Sequence, residues 1–262
     1  MSRSLGEVTG LRIAQDHPTA FRRLGERMGH VGRLARRVAV HPKRAAVLAW
    51  VQMLPLGREN LNRDTALPLT WTYGRIRRRP FTQVFPQCSV DEIRLLRPLD
   101  RDPDTSITIV EATYLCAMAR ARQPLNILEI GTFDGNTTLN LAANTGAESR
   151  ITTLDIGPSD QVGSQYKTSA HAGRIREVIG DSTRVDWSSL GGPFDMIFID
   201  GCHTFAAARS DTAHALENLS PRGLVVWHDY GSIKDVARAV DEFRDRLDIS
   251  ALAGTTLAVA VI

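Results

Sequence analysis

Leu125 to Leu139 reads LNILEIGTFDGNTTL. Leu125, Ile127, Leu128 and Ile130 crowd a short apolar run that stops at Gly131, which reads as a buried strand. Gly131 and Gly135 permit a sharp turn and a close backbone approach to a ligand. Asn136, Thr137 and Thr138 then open a helix whose first N–H groups are free to meet that ligand. The unit is a strand, a turn and a helix. Its GxxxG spacing differs from the GxGxxG of pyrophosphate-binding folds. Glu129, two residues before the first glycine, would repel a pyrophosphate and suits a cationic group.

Working outward, the same alternation repeats. RITTLDIG (150–157), RIREVIGD (174–181), PFDMIFID (193–200) and PRGLVVWHD (221–229) read as strands. SQYKTSAHAG (164–173), TFAAARSDTAHALENL (204–219) and SIKDVARAVDEFRDRL (232–247) read as the helices between and after them. ISALAGTTLAVAVI (249–262) reads as a closing pair of strands around Gly254. Upstream, DTSITIVEATYLCAMARAR (104–122) reads as a helix capped by Asp104, Thr105 or Ser106 and closed by Pro124. This spacing predicts an α/β domain, a mostly parallel sheet with helices on both faces.

In such a sheet, ligands bind beyond the carboxyl ends of the strands. The predicted strands end at Glu129/Gly131, Asp155, Asp181, Asp200 and His228/Asp229, so these groups share one rim. Asp155 is placed to accept hydrogen bonds from a ribose diol, and Asp181 with Ser182 to meet an adenine edge. For Asp155 and Asp181 the plainer alternative is helix capping or a solvated loop.

ILEIGTFDGNTTL, TLDIG, IGDST, FDMIFIDGCHTF and RGLVVWHDYG, in that order, resemble the class I S-adenosylmethionine-dependent methyltransferases. The likeness is nearest to small O-methyltransferases, both the catechol type and the type acting on sugars and antibiotic scaffolds. It covers residues 104–262. It implies a Rossmann-like sheet of seven strands with a C-terminal antiparallel strand, and S-adenosyl-L-methionine as cofactor. By the resemblance, Glu129, Gly131, Thr132, Phe133, Gly135, Asn136 and Thr137 surround the methionine part and sulfonium. Asp155 holds the ribose, Asp181 and Ser182 the adenine side, and Asp200 closes the pocket.

Methyl transfer to a hydroxyl needs acceptor oxygen, methyl carbon and sulfur in line, and a route for the acceptor proton. In catechol-type enzymes, positions like Asp200 and Asp229 hold a magnesium ion, with a further oxygen ligand beside the second aspartate. Here His228 and Tyr230 flank Asp229, so that oxygen ligand is missing. Two carboxylates and water suit Mg²⁺, whereas Asp200, His228 and Asp229 together tilt the site towards Mn²⁺, Fe²⁺ or Zn²⁺. The alternative is Asp200 as a helix cap and His228–Asp229 as a metal-free pair. His203 stands where the catechol-type pattern has a lysine, and an imidazole suits a general base. Cys202 reads as a small filler and Asp211 as a surface or helix-pairing carboxylate. His171 and His214 read as exposed, Trp187 and Trp227 as core.

Charge divides the chain. Residues 1–100 hold 18 Lys and Arg against 8 Asp and Glu, and residues 101–262 hold 14 against 21. Residues 1–103 therefore read as a basic, mainly helical or irregular extension: a cap, a dimer contact or a docking surface. Few aromatics interleave with the arginines, so nucleic acid is not the expected partner. Three scattered cysteines suggest neither a zinc site nor a disulfide framework and fit a reducing cytoplasm. No apolar run is long enough for a membrane span. The expectation is a cytoplasmic, homo-oligomeric enzyme acting on a small hydroxylated molecule. Two rivals remain: a methyltransferase of the same fold acting on RNA or protein, and a cofactor-binding module without catalysis.

Overall fold

The computed structural model describes residues 73–98, 106–157 and 162–262. The five central strands are β2 (Asn126–Ile130), β3 (Arg150–Asp155), β4 (Ile175–Ile179), β5 (Phe194–Ile199) and β6 (Leu219–Trp227). All are parallel, as crossover helices require. Two more, β7 (Ser250–Leu252) and β8 (Ala258–Val261), follow at the C-terminus, with β8 antiparallel to both β6 and β7. A short β1 (Arg78–Arg79) pairs in parallel with β7. The sheet order is β1-β7-β8-β6-β5-β2-β3-β4.

The described sheet thus has one strand more than the seven expected. The extra strand lies in IRRRP, a charged run with no apolar pattern to announce it. Its two residues cover the open edge of β7: the Ala251 N–H donates to the Arg77 carbonyl and the Ala253 N–H to the Arg79 carbonyl.

After β2 the chain adds β3 and β4 on one side, then returns to place β5 and β6 on the other. The β2/β5 boundary is therefore the topological switch point, where the strand ends diverge and leave a crevice.

Six α-helices are described: α1 (Phe81–Val84), α2 (Ile109–Arg122), α3 (Asn136–Ala143), α4 (Ser164–Lys167), α5 (Phe205–Glu217) and α6 (Lys234–Asp241). Strand alternation divides the core. Leu128, Ile130 and Leu154 pack with Trp187, Trp227 and α6 residues on one face. Ile127, Ile151 and Phe198 pack with α2 and α3 residues on the other, joined by Phe81 and Phe85 of the α1 segment. Each such side chain contributes about 1.5–3 kcal/mol by leaving water. Buried Trp227 also satisfies its indole, donating to Thr212 Oγ1 at 2.9 Å.

Three helix boundaries differ from the sequence reading. The cap of α2 is Thr108, not Asp104, Thr105 or Ser106. Thr108 Oγ1 accepts from the Glu111 N–H while Glu111 accepts from the Thr108 N–H, a complete capping box. The segment 164–173 forms one α-turn and a separate 3₁₀ turn (Ala172–Arg174), because Thr168, Ser169 and Gly173 are poor helix formers. The last helix stops at Asp241 and continues to Leu247 in tighter turns, such as the Phe243 N–H to the Val240 carbonyl. The helices expected within residues 1–72 lie outside the described residues. No helix among the described residues is long and apolar enough to cross a membrane.

Candidate active site at the β2/β5 switch

Gly131 ends β2 with φ +96°, and a Cβ there would lie 2.1 Å from the Asp200 carbonyl oxygen. The glycine is needed for the close approach of two strand ends, before any ligand is considered. Gly135 caps α3 with φ +80°, and its missing Cβ makes room for the Tyr166 ring. Asp155 pins the loop between them. Its Oδ2 accepts from the Thr132 N–H (3.0 Å) and the Phe133 N–H (2.9 Å), and its Oδ1 from the Ile156 N–H (2.8 Å). An ionised carboxylate has about four acceptor positions, so Oδ1 keeps room for one more donor.

Glu129 is wholly buried beneath this loop. Its Oε2 accepts from Thr153 Oγ1 (2.7 Å) and Thr138 Oγ1, whereas its Oε1 has no hydrogen-bond partner among the described residues. Burial pushes its pKa up to about 8, outweighing the two hydroxyl bonds and helped by Asp200 and Asp134. A buried, half-satisfied carboxyl is costly, and a bound cationic donor would relieve it.

The other predicted cofactor residues divide. Thr137 is half-buried. Thr132 is buried, its hydroxyl 2.7 Å from Thr153 Oγ1. Asn136 is buried and its side-chain amide donates to the Arg97 carbonyl, a structural use the sequence reading did not foresee. It begins a ladder with Asn140 and Asn144. Asn140 brackets Leu96 through both N–H and carbonyl, and Asn144 does the same to Arg94. The i, i+4 spacing of three asparagines in NTTLNLAAN is the signal for it. Phe133, Ile156 and Ile179, at the ends of β2, β3 and β4, are all exposed. Asp181 turns its own loop, accepting from the Thr183 N–H and hydroxyl, which lower its pKa.

Across the switch, a charged cluster gathers at the ends of β5 and β6. Asp200, His203 and Asp229 each present one ligand-type atom, all within 4.8 Å of one another. His203 Nε2 is 3.1 Å from Asp229 Oδ2 and 3.7 Å from Asp200 Oδ1. The expected trio of Asp200, His228 and Asp229 differs in one member. His228 is buried, with Nδ1 2.9 Å from Asp200 Oδ1 and 3.5 Å from Asp229 Oδ2, and Nε2 3.4 Å from Glu111 Oε2. Both ring nitrogens face carboxylates, which favour the protonated ring.

Burial alone would lower the pKa of His228, but Asp200, Asp229 and Glu111 together raise it well above the usual histidine value. Conversely, burial would raise Asp229, yet His228, His203 and Ser232 hold it well below the usual carboxylate range. Glu111 is likewise held low against its burial by His228, and its Oε1 accepts from the Thr256 N–H and hydroxyl. For His203, the neighbouring Asp200 carboxylate is the largest influence and raises its pKa against burial. Asp200 does not cap α5, since Thr204 does, accepting from the Ala207 N–H at 3.3 Å. Glu111 is a site residue that sequence reasoning missed, although the Thr-x-x-Glu of its capping box was there to read.

Two further expectations are revised. Of the two readings of Asp211, burial removes the surface one, and His214 is half-buried against the Trp187 ring at 5.1 Å.

This sheet order, with a glycine loop after β2, is a Rossmann-like fold shared with solved methyltransferases. Residues 128–230 match a family model described as a methyltransferase domain, so sequence and fold agree over that stretch. A catechol O-methyltransferase from Mycobacterium tuberculosis is 32% identical over 100 residues, which span 37% of this chain and 46% of that protein. The match thus spans under half the length of that curated relative. Among solved structures, the O-methyltransferase TomG from Streptomyces achromogenes superposes with TM-score 0.51 at 20% identity, over 70% of this chain and 93% of TomG. The Podospora anserina methyltransferase PaMTH1 gives 0.52 at 18% identity, over 79% and 97%. These two likenesses show the shared fold.

Proposed function

We propose that the protein is an S-adenosylmethionine-dependent O-methyltransferase acting on a hydroxyl of a small molecule of sugar, polyketide or phenolic type. The observation that carries this reading is the Asp200–His203–Asp229 cluster standing directly beside the glycine loop at the strand switch. The relative from Mycobacterium tuberculosis, a catechol O-methyltransferase by name, supports the reaction type.

The cofactor fits the residues present. Glu129 Oε1 is an orphaned buried acceptor for an ammonium group, Asp155 Oδ1 has a place for a ribose hydroxyl, and Phe133, Ile156 and Ile179 give an apolar surface for a base. When bound, S-adenosylmethionine supplies a methyl carbon already activated by the sulfonium. The chain's part is to hold an acceptor oxygen in line and to manage its proton.

A divalent cation also fits. Asp200, His203 and Asp229 would hold it, and it would lower the pKa of an acceptor hydroxyl. The charge balance favours such an ion: protonated His228 offsets one of Glu111, Asp200 and Asp229, leaving negative charge at the cluster. The metal-free use of His203 is different. Its Nε2–H then donates to Asp229, and Nδ1 accepts the hydroxyl proton, with Asp229 stabilising the imidazolium. The test is transfer of a labelled methyl group to a panel of hydroxylated small molecules, with and without chelator and added Mg²⁺ or Mn²⁺. Methylation of RNA or protein, and of no member of the panel, would overturn the small-molecule reading.

A further inference from the structure

Asp211 lies on α5, fully buried, and neither carboxyl oxygen has a hydrogen-bond partner among the described residues. One turn on, His214 Nδ1 is also buried without a partner. Such groups cost their full desolvation unless something donates to them, so an unanswered buried carboxyl asks for a role. Its surroundings suggest one. A Cβ on Gly201 would be 3.6 Å from Asp211 Oδ2, which puts the carboxyl directly behind the turn that follows Asp200. The Ser182 hydroxyl faces the same carboxyl, close enough to lower its pKa though short of a full hydrogen bond.

Ser182 is where α5 meets the loop after β4. It follows β4 in the loop whose neighbour Asp181 is fixed by Thr183. Its carbonyl accepts from Trp187 Nε1 at 2.9 Å, which anchors the loop from one side. Its own N–H donates to no described residue. The serine therefore has an anchored carbonyl, a free N–H at the rim and a hydroxyl turned inward to Asp211.

We propose that Asp211 is a positioning residue for the adenine end of the cofactor crevice, acting through Ser182. This rests on the cofactor reading above. When an adenine base settles against the β4 loop, the Ser182 hydroxyl completes its hydrogen bond to Asp211, and the loop is held in its binding position. Binding and ionisation of Asp211 then favour each other, because a carboxylate is the better acceptor. Burial raises the Asp211 pKa to about 6, against the pull of Ser182 and His214. The groups facing it are His214 on its own helix and Asp181 on the β4 loop.

Calorimetric titrations with S-adenosylhomocysteine and with adenosine test this. Adenosine lacks the amino-acid part, so Glu129 does not enter its pH dependence. Wild-type affinity for adenosine should fall as pH is lowered from about 7.5 to about 5, whereas Asp211→Asn should bind with a flat profile. At neutral pH, Asp211→Asn and Ser182→Ala should each weaken both ligands by roughly tenfold, and the double variant should be little worse than either. Should Asp211→Asn not fold, Ser182→Ala alone must show the loss of affinity and the flattened profile. Unchanged affinity and an unchanged pH profile in the variants, with the wild type binding S-adenosylhomocysteine, would overturn the role of Asp211 alone. Absence of binding by the wild type would overturn the cofactor reading, and this inference with it.

Discussion

Asp200 Oδ1 and His228 Nδ1, 2.9 Å apart, tie the end of β5 to the end of β6. The other side of the same imidazole faces Glu111 from α2. His228 thus lies buried among three carboxylates, which raise its pKa well above the usual histidine value. Replacing it with alanine leaves those carboxylates without their charge partner. His228→Ala is expected to lose about 3–5 kcal/mol of unfolding free energy, measured by denaturant titration. A loss below about 1 kcal/mol would show that the cluster does not depend on it.

Glu129 predicts a pH dependence of stability. Its carboxyl ionises near 4.5 when unfolded and near 8 when folded. It therefore favours the folded state fully below pH 4.5 and loses that preference as pH rises towards 8. Relative to wild type, Glu129→Gln should gain on the order of 4 kcal/mol between those limits, read from unfolding curves across the range. A wild-type-minus-variant difference that stays constant with pH would contradict the raised pKa.

The same residue predicts a proton balance on ligand binding. An ammonium group reaching Glu129 Oε1 favours the ionised carboxylate, so S-adenosylhomocysteine should release a proton at neutral pH. Binding heats measured in buffers of different ionisation enthalpy should then diverge for wild type and converge for Glu129→Gln.

Gly131 should tolerate no side chain. Even alanine places a methyl group 2.1 Å from the Asp200 carbonyl oxygen, in a left-handed backbone. Gly131→Ala should cost more than about 2 kcal/mol of stability and displace the Asp200 turn. A crystal structure of that variant with the turn unmoved would refute the contact.

The cation reading makes its own prediction. Mn²⁺ should bind to the protein as isolated, detected by electron paramagnetic resonance, and binding should be lost in Asp200→Asn/Asp229→Asn. His203→Ala should weaken it by roughly ten- to a hundredfold. Equal Mn²⁺ affinity in wild type and the double aspartate variant would leave His203 as the proton acceptor without metal.

Most of the fold was legible because strands alternate with helices at regular spacing, and β2 and β5 are compact apolar runs that lead to a polar or glycine rim. Asp155 and Asp200 could be placed on one rim from that alone. What escaped was whatever depends on partners distant in sequence. Arg78 and Arg79 carry no strand pattern and pair only because β7 has an open edge. Asn136 sits at a cofactor-like position, but its amide is spent on Arg97, which lies 39 residues earlier. His228 next to Asp229 suggested a ligand pair. Only the arrival of Glu111 from α2 shows that the second ring nitrogen also faces a carboxylate. Glu111 itself was readable as a cap, yet nothing local says that its second oxygen reaches Thr256.

Calorimetric titration of the wild-type protein with S-adenosylhomocysteine, repeated on Asp155→Ala, tests the central claim most directly. The account predicts one saturable site in the wild type and a loss of affinity of at least roughly tenfold in the variant. No measurable heat of binding to the folded wild-type protein, or equal affinity in both, would contradict it.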